Sequence, residues 1–293
     1  MMDYEYLGLD DFLFTALRED IAGGDVTTNC CVPEEITSSG VFISNEPGVI
    51  CGLDIVARVF ELLDADVQVT PYVDEGTSVN TGDVIAEIYG RARSILTGER
   101  TALNLLQHMC GVATKTAQAV SAVSDIGVNI VDTRKTVPGM RELDKYAVRC
   151  GGGVNHRFNL SDGVLIKDNH IMAAGGIKKA ISLARHRCPH TLKIEVETET
   201  LEQVEEALEA EADIIMLDNM PPVMMAEAVK IINGRALVEA SGNMGERNLR
   251  VVAETGVDFI SIGALTHSVK AMDISLKFHK GSNAVCGPQG ARI

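Results

Sequence analysis

Tryptophan is missing from this sequence, aromatic residues make up only 4% of it, and no apolar run approaches the roughly 18 residues of a membrane-spanning helix. A membrane partner is therefore not expected. The opening MMDYEYLGLDDFLFTALRED has neither the basic start nor the apolar centre of a secretory signal, so a cytoplasmic location is expected. Cys-x-x-Cys pairs are also missing. The seven cysteines are an odd number, and only Cys30-Cys31 are close together. That usage fits a reducing compartment rather than a disulfide framework, and it gives no reason to expect a structural metal. Positive charge is scarce: 26 Lys and Arg face 41 Asp and Glu, for a net charge of -15. Nucleic acid is excluded as the main partner, because a phosphate backbone demands a basic face. What is present is ordinary globular material, 46% hydrophobic, enough for the core of one large or two medium domains.

The charge is unevenly spread. Residues 132–141 read DTRKTVPGMR, with three cations beside a Pro-Gly turn, directly after the apolar run VNIV. From Asp132 to His170 there are seven Lys or Arg against five acids, a net of +2 inside an acidic chain. Such an island suits a small anionic ligand, because a local cleft potential can oppose the overall charge.

Two grammars divide the chain. From about Gly40 to Tyr89, short β-rich runs alternate with Gly, Asp and Asn turns, which predicts an antiparallel sheet. The apolar spacing of DIVARVFELLDA predicts a helix laid against that sheet. The segment SVNTGDVIAEIYG has the outline of a biotinyl or lipoyl carrier hairpin but lacks the lysine such a tip requires. From about Ile95 to Val123 the pattern is a long helix with Glu99 and Arg100 near its start. A cation there opposes the helix dipole, so Arg100 is either solvated or reaching into a site.

After Gly127, six β-rich runs alternate with amphipathic helices, which predicts parallel strands in a complete or incomplete (β/α) barrel. A doubly wound sheet is the competitor, but no GxGxxG follows a first strand.

Chemistry in such barrels gathers at the C-terminal ends of the strands. Those ends read Asp132-Thr133-Arg134-Lys135, Lys167-Asp168-Asn169-His170, Glu195 and Glu197, Asp218-Asn219, Ser241-Gly242-Asn243 and Gly263. The early cations can clamp carboxylates. Glu197 and Asp218 are hard oxygen ligands that suit Mg2+, directly or through water. The small residues closing the last strands precede helices, where barrels commonly hold phosphate on backbone N–H groups. Alternatives stay open for several positions. Lys167 could pair with Asp168 or serve as a Schiff-base nucleophile. Gly151-Gly152-Gly153 could be a flexible turn or a point of close approach. His267 could be a helix cap or a ligand contact.

The block DTRKTVPGMRELDKYAVRCGGGVNHRFNLSDGVLIKDNHI closely resembles the quinolinate phosphoribosyltransferase family of NAD synthesis. The likeness continues through GERTALNLLQHMCGVAT, KIEVET, IMLDNM, EASG and SIGALTHSVKAMDIS, from about residue 10 to 277. It implies an α/β protein with an N-terminal α/β sandwich (residues 1–112, with 273–293 returning to it) and an incomplete (β/α) barrel (residues 113–272). It also implies the conversion of quinolinate and phosphoribosyl pyrophosphate to nicotinate mononucleotide, pyrophosphate and CO2, with Mg2+ as cofactor.

The further implication is a homodimer with shared active sites, able to assemble further, in which Arg100 is lent to the neighbouring subunit. By the same likeness, Arg100, Thr133, Arg134, His156, Arg157 and Lys167 would bind quinolinate. Lys135, Glu195, Glu197, Asp218, Ser241, Gly242, Asn243, Gly263 and His267 would bind the phosphoribosyl donor. Lys135, Glu197 and Asp218 would be catalytic. The chain departs from the family at Asn243, where many members have Gly, and at Val137, where Thr is common. Its tail, residues 281–293, is expected to be loose. A related group linked to molybdenum transport has a similar barrel and is the alternative reading.

Overall fold

Small and β-branched residues alternate with larger apolar ones in ITSSGVFIS, and this stretch forms β1 (Ile36–Ser44) with every second side chain buried along most of its length. The structure is a computed structural model that describes residues 8–279 and the backbone of residues 284–285. The described residues fall into two compact units. One runs up to Thr114 and resumes at Lys270; the other is Lys115–Val269.

The first unit opens with helices α1 (Leu9–Ile21) and α2 (Val26–Cys31), neither of which the sequence reading singled out. After β1 come β2 (Gly48–Val49), α3 (Leu53–Leu63), β3 (Gln68–Pro71), β4 (Ser78–Val79) and β5 (Val84–Arg91). The main sheet is antiparallel, in the order Ile274–Phe278, β1, β5, β3, and Ala284–Val285 also pairs with β1. The remaining residues expected to form a loose tail lie outside the described ones. α3 buries Leu53, Ile55, Val56, Val59 and Phe60, each worth roughly 1.5–3 kcal/mol of transfer from water. Its first N–H groups, those of Gly52 and Leu53, donate to the Glu75 carboxylate at 2.8–3.0 Å.

The long helix α4 (Ala92–Ser121) begins earlier than its periodicity suggests. Arg100 therefore lies beyond its second turn and is exposed. The dipole penalty fades after the first turn, so Arg100 carries no such conflict, and that sequence argument is corrected.

The second unit repeats strand then helix: β6 (Asn129–Val131), α5 (Arg141–Cys150), β7 (Val164–Ile166), α6 (Asp168–Ala174), α7 (Ile177–Arg187), β8 (Ile194–Thr198), α8 (Leu201–Glu209), β9 (Ile214–Asp218), α9 (Pro222–Ile232), β10 (Leu237–Ser241), α10 (Leu249–Ala253), β11 (Phe259–Ser261) and α11 (Ala264–His267). All six strands are parallel, in the order β6-β11-β10-β9-β8-β7. The first strand closes onto the last, and no ladder among the described residues joins β6 to β7. The barrel is thus incomplete, with a seam. One residue partly bridges that seam: Val154 N–H donates to Ile130 O at 2.9 Å, and Asp132 N–H donates to Val154 O at 3.3 Å.

Strand alternation sorts the side chains by face. Ile194, Val196, Ile215, Leu217, Val238, Ala240 and Ile260 are buried toward the helices. The opposite face carries Glu197, Met216 and Glu239 in one register layer, and Asp218 and Ser241 in the next. The barrel interior is therefore unusually acidic near its top.

Candidate active site

The C-terminal strand ends surround a cavity of about 570 Å3. It is lined by Thr133, Arg134 and Lys135 after β6, His156 and Arg157 at the seam, and Lys167 at the end of β7. Glu197, Asp218, Ser241, Gly242, Asn243, Gly263 and His267 complete the wall. Glu195 lies one layer lower and faces a second cavity of about 550 Å3 toward the other ends of the strands. Arg100 belongs to the first unit, so the barrel's own set does not include it.

The β10 and β9 turns build one wall. Gly242 has φ +93°, and a Cβ on it would lie 2.2 Å from Asn219 Oδ1, so only glycine fits. Asn243 follows in the left-handed region at φ 53°, which asparagine tolerates better than most residues. Gly263 opens α11 with Lys135 Cδ and His267 against it, at 3.0 and 3.2 Å from where a Cβ would stand. Lys135 O accepts from Thr266 Oγ1 at 2.7 Å, and Lys135 N–H donates to Thr133 Oγ1 at 3.0 Å. The loop after β6 is thereby tied down. Arg141, which the sequence left without a role, braces the same loop: its Nε donates to Thr136 Oγ1 at 3.1 Å and its Nη2 to Arg134 O at 3.4 Å.

The opposite wall is cationic. The Arg134 side chain makes no hydrogen bond among the described residues, and its Nε is buried without a partner. Arg157 stands near it and anchors Nη1 on Gly163 O at 3.0 Å. Burial and then the Arg134 charge lower the pKa of Arg157, with Glu195 opposing. Lys167 pairs with Glu197 at 2.6 Å rather than with Asp168. A lysine held in an ion pair does not fit the free, desolvated amine that a Schiff-base mechanism requires.

Beneath these cations, Asp132 and Lys145 form a buried pair at 2.5 Å. The pair grips the backbone of His156 from both sides. Asp132 Oδ1 accepts the His156 N–H at 2.9 Å, and Lys145 Nζ donates to His156 O at 2.9 Å. Asn155 Nδ2 closes the network on Asp132 Oδ2 at 2.6 Å. The close-approach reading of the glycine triplet also holds here: a Cβ on Gly153 would lie 2.8 Å from Thr116 and Val148 side-chain carbons.

The His156 imidazole faces two carboxylates, Glu195 Oε2 at 3.1 Å and Glu239 Oε2 at 3.6 Å. Burial lowers the imidazole pKa, but the hydrogen bond to Glu195 and the charges of Glu239 and Glu195 outweigh it and leave it raised. Burial, reinforced by the Glu195 charge, pushes the Glu239 carboxyl up to about 7.

The sequence reading missed Asp132 as a structural partner, and it missed Lys145, Asn155 and Glu239 altogether. Glu239 was within reach, because it precedes Ser241 by two on one strand and so shares its face. Lys145 was not, because its role depends on α5 folding back under the β6 end.

Glu197 is held by Lys167, and among the described residues Asp218 Oδ2 accepts only from Asn219 Nδ2, at 2.7 Å. Both carboxylates line the same cavity. Such a pair suits Mg2+, which typically takes one or two carboxylates and fills its shell with water and substrate oxygens.

An open parallel barrel with guanidiniums, carboxylates and a glycine-bounded turn around one cavity defines a (β/α)-barrel enzyme that handles small anions. More specifically, the chain belongs to the quinolinate phosphoribosyl transferase family. The model of that family's C-terminal domain matches residues 112–277, and that of its N-terminal domain matches residues 25–110. The nicotinate-nucleotide pyrophosphorylase (carboxylating) of Mycobacterium leprae is 43% identical over 282 residues, covering 94% of this chain and 99% of that one. Quinolinate phosphoribosyltransferase (decarboxylating) 2 of Nicotiana glauca, a mitochondrial protein, is 42% identical over 92% of this chain and 82% of its own. The crystal structure of NadC from Streptococcus pyogenes superposes with a TM-score of 0.89 at 43% identity, covering 94% of this chain and 98% of that one. No helix among the described residues is long and apolar enough to cross a membrane.

Proposed function

We propose that this protein transfers a phosphoribosyl group from phosphoribosyl pyrophosphate to the nitrogen of quinolinate and releases CO2, giving nicotinate mononucleotide for NAD synthesis. The observation that carries the reading is the Arg134 guanidinium, buried at Nε without a partner and set beside Arg157. An unpaired buried donor is costly, and a dicarboxylate supplies what it lacks. Arg134, Arg157, Thr133, His156 and Lys167 hold that dicarboxylate. The backbone around Ser241, Gly242, Asn243 and Gly263, with His267, takes the 5-phosphate, and Lys135 reaches the pyrophosphate side.

Glu197 and Asp218 would hold Mg2+, which when bound neutralises charge on the departing pyrophosphate. The pyridine nitrogen attacks C1 of the ribose as the bond from C1 to the pyrophosphate oxygen breaks. Positive charge developing on the ribose faces the Glu197 and Asp218 carboxylates, a preorganised electrostatic effect. The bond from C2 of the ring to its carboxylate then breaks. CO2 leaves, and the electron pair stays at C2 beside the quaternised nitrogen until a proton replaces it. The cations act by orientation and charge neutralisation, and no covalent enzyme intermediate forms.

Cysteine usage supports a reducing, cytoplasmic location, and the family likeness supports a homodimer in which Arg100 completes the neighbouring subunit's site. The test is product analysis with quinolinate or nicotinate as the acceptor. Nicotinate mononucleotide from quinolinate supports the reading. Turnover of nicotinate alone, or of neither acid, overturns it.

A further inference from the structure

Glu239 lines the cavity of the proposed dicarboxylate site and Glu195 lies one layer beneath it, an unfavourable floor for a dianion. Glu195 on β8 and Glu239 on β10 are 4% and 3% exposed, and their nearest oxygens and His156 Nε2 lie within 4.8 Å of one another. Each keeps one oxygen, Oε1, buried without a hydrogen-bond partner. The imidazole between them cannot satisfy both. His156 Nδ1 accepts the Arg157 backbone N–H at 2.7 Å, so the ring in this arrangement carries its single proton on Nε2. That one N–H is nearer Glu195, at 3.1 Å, and leaves Glu239, at 3.6 Å, with only the Ser261 hydroxyl as a side-chain donor. Two full negative charges in a barrel interior with a single imidazole N–H between them repel each other and are poorly solvated, which favours a second proton in the cluster. The other groups facing it are Arg157 beside Glu195, Ser261 on β11, Lys167 at the end of β7, and Lys145 behind His156. Lys167 and Lys145 are already committed to Glu197 and Asp132.

We propose that Glu239 is a specificity residue that must carry a proton for the dicarboxylate to bind, so that binding takes up a proton once the free protein has lost it. This rests on the functional reading above. A neutral Glu239 adds an O–H donor to a cluster short of donors and removes one charge from beneath the substrate. An ionised Glu239 repels it. The burial and like-charge repulsion that push this carboxyl up to about 7 place the transition within reach of ordinary assay conditions.

The test compares wild type with Glu239→Gln, whose amide is neutral at every pH. The wild-type KM for quinolinate is expected to rise above about pH 7, approaching tenfold per pH unit, while that of Glu239→Gln stays flat and lies below wild type at pH 9. A Gln variant whose alkaline rise coincides with wild type, or moves to lower pH as titration of His156 would dictate, overturns the proposal. Calorimetry on the wild type alone, at pH 8 in phosphate and in Tris, gives a second readout. Uptake approaching one proton per bound quinolinate supports the proposal, and no uptake overturns it. Wild-type protein that neither binds nor turns over quinolinate overturns the functional reading and this inference with it. Turnover with an unaltered alkaline limb in Glu239→Gln overturns the inference alone.

Discussion

Lys145 Nζ lies 2.5 Å from Asp132 Oδ1, and neither side chain is more than 1% exposed. Between them they hold the N–H and the C=O of His156. Fixing both polar groups of one peptide segment sets where the next two side chains point, and here those belong to His156 and Arg157. The pair anchors the seam of the barrel, where no ladder among the described residues connects β6 to β7.

Removing one partner strands the other as a buried charge. Lys145→Met is expected to cost about 3–5 kcal/mol in urea unfolding. The double change Asp132→Asn with Lys145→Met should recover part of that loss, because no unpaired charge remains. Equal destabilisation in the single and double variants would remove the ion pair from the account.

Arg134 presents the opposite case. Its side chain has no partner to lose, so Arg134→Ala should leave the unfolding midpoint nearly unchanged. Losing charge-assisted hydrogen bonds worth about 3 kcal/mol should lower kcat/KM for quinolinate by roughly 100-fold. Near-normal turnover would show that the dicarboxylate is held elsewhere.

Gly242 and Asn243 are neighbours with different tolerances. Gly242→Ala sets a methyl 2.2 Å from Asn219 Oδ1 at a φ that disfavours it, and it should raise the KM for phosphoribosyl pyrophosphate. Asn243→Gly keeps the left-handed backbone and should change stability by less than about 1 kcal/mol. Steady-state kinetics on both variants checks the contrast, which fails if the alanine is as benign as the glycine.

The six strands and their polar ends were legible in the sequence, because a period of two followed by a period near 3.6 is written in the residues themselves. The cavity wall from Thr133 to His267 followed from that reading. What escaped depended on distant packing. Glu239 gains its meaning only from His156, which reaches it from the seam through the barrel interior. Lys167 was weighed against Asp168, its neighbour in sequence, whereas its partner is Glu197, thirty positions away. Arg100 was misread locally, because the helix starts at Ala92 with no cap residue to mark it. The start of α6 was hidden because a strand end and a helix start share Lys167 and Asp168.

Arg100 supplies a test of the proposed shared site. Arg100→Ala and Lys167→Ala should each be nearly inactive alone. Unfolded together and refolded, they should recover up to about a quarter of wild-type activity, the yield of random two-fold pairing. Failure of any recovery, with both proteins dimeric, would confine Arg100 to its own subunit.

The central claim is that this barrel drives loss of one particular carboxylate after the ring nitrogen is quaternised. Quinolinate labelled separately in its 2-carboxyl and 3-carboxyl groups, incubated with phosphoribosyl pyrophosphate and Mg2+, tests it most directly. The account predicts labelled CO2 from the 2-carboxyl substrate in step with nicotinate mononucleotide, and none without the phosphoribosyl donor. Release from the 3-carboxyl group, or release that does not require the donor, would contradict it.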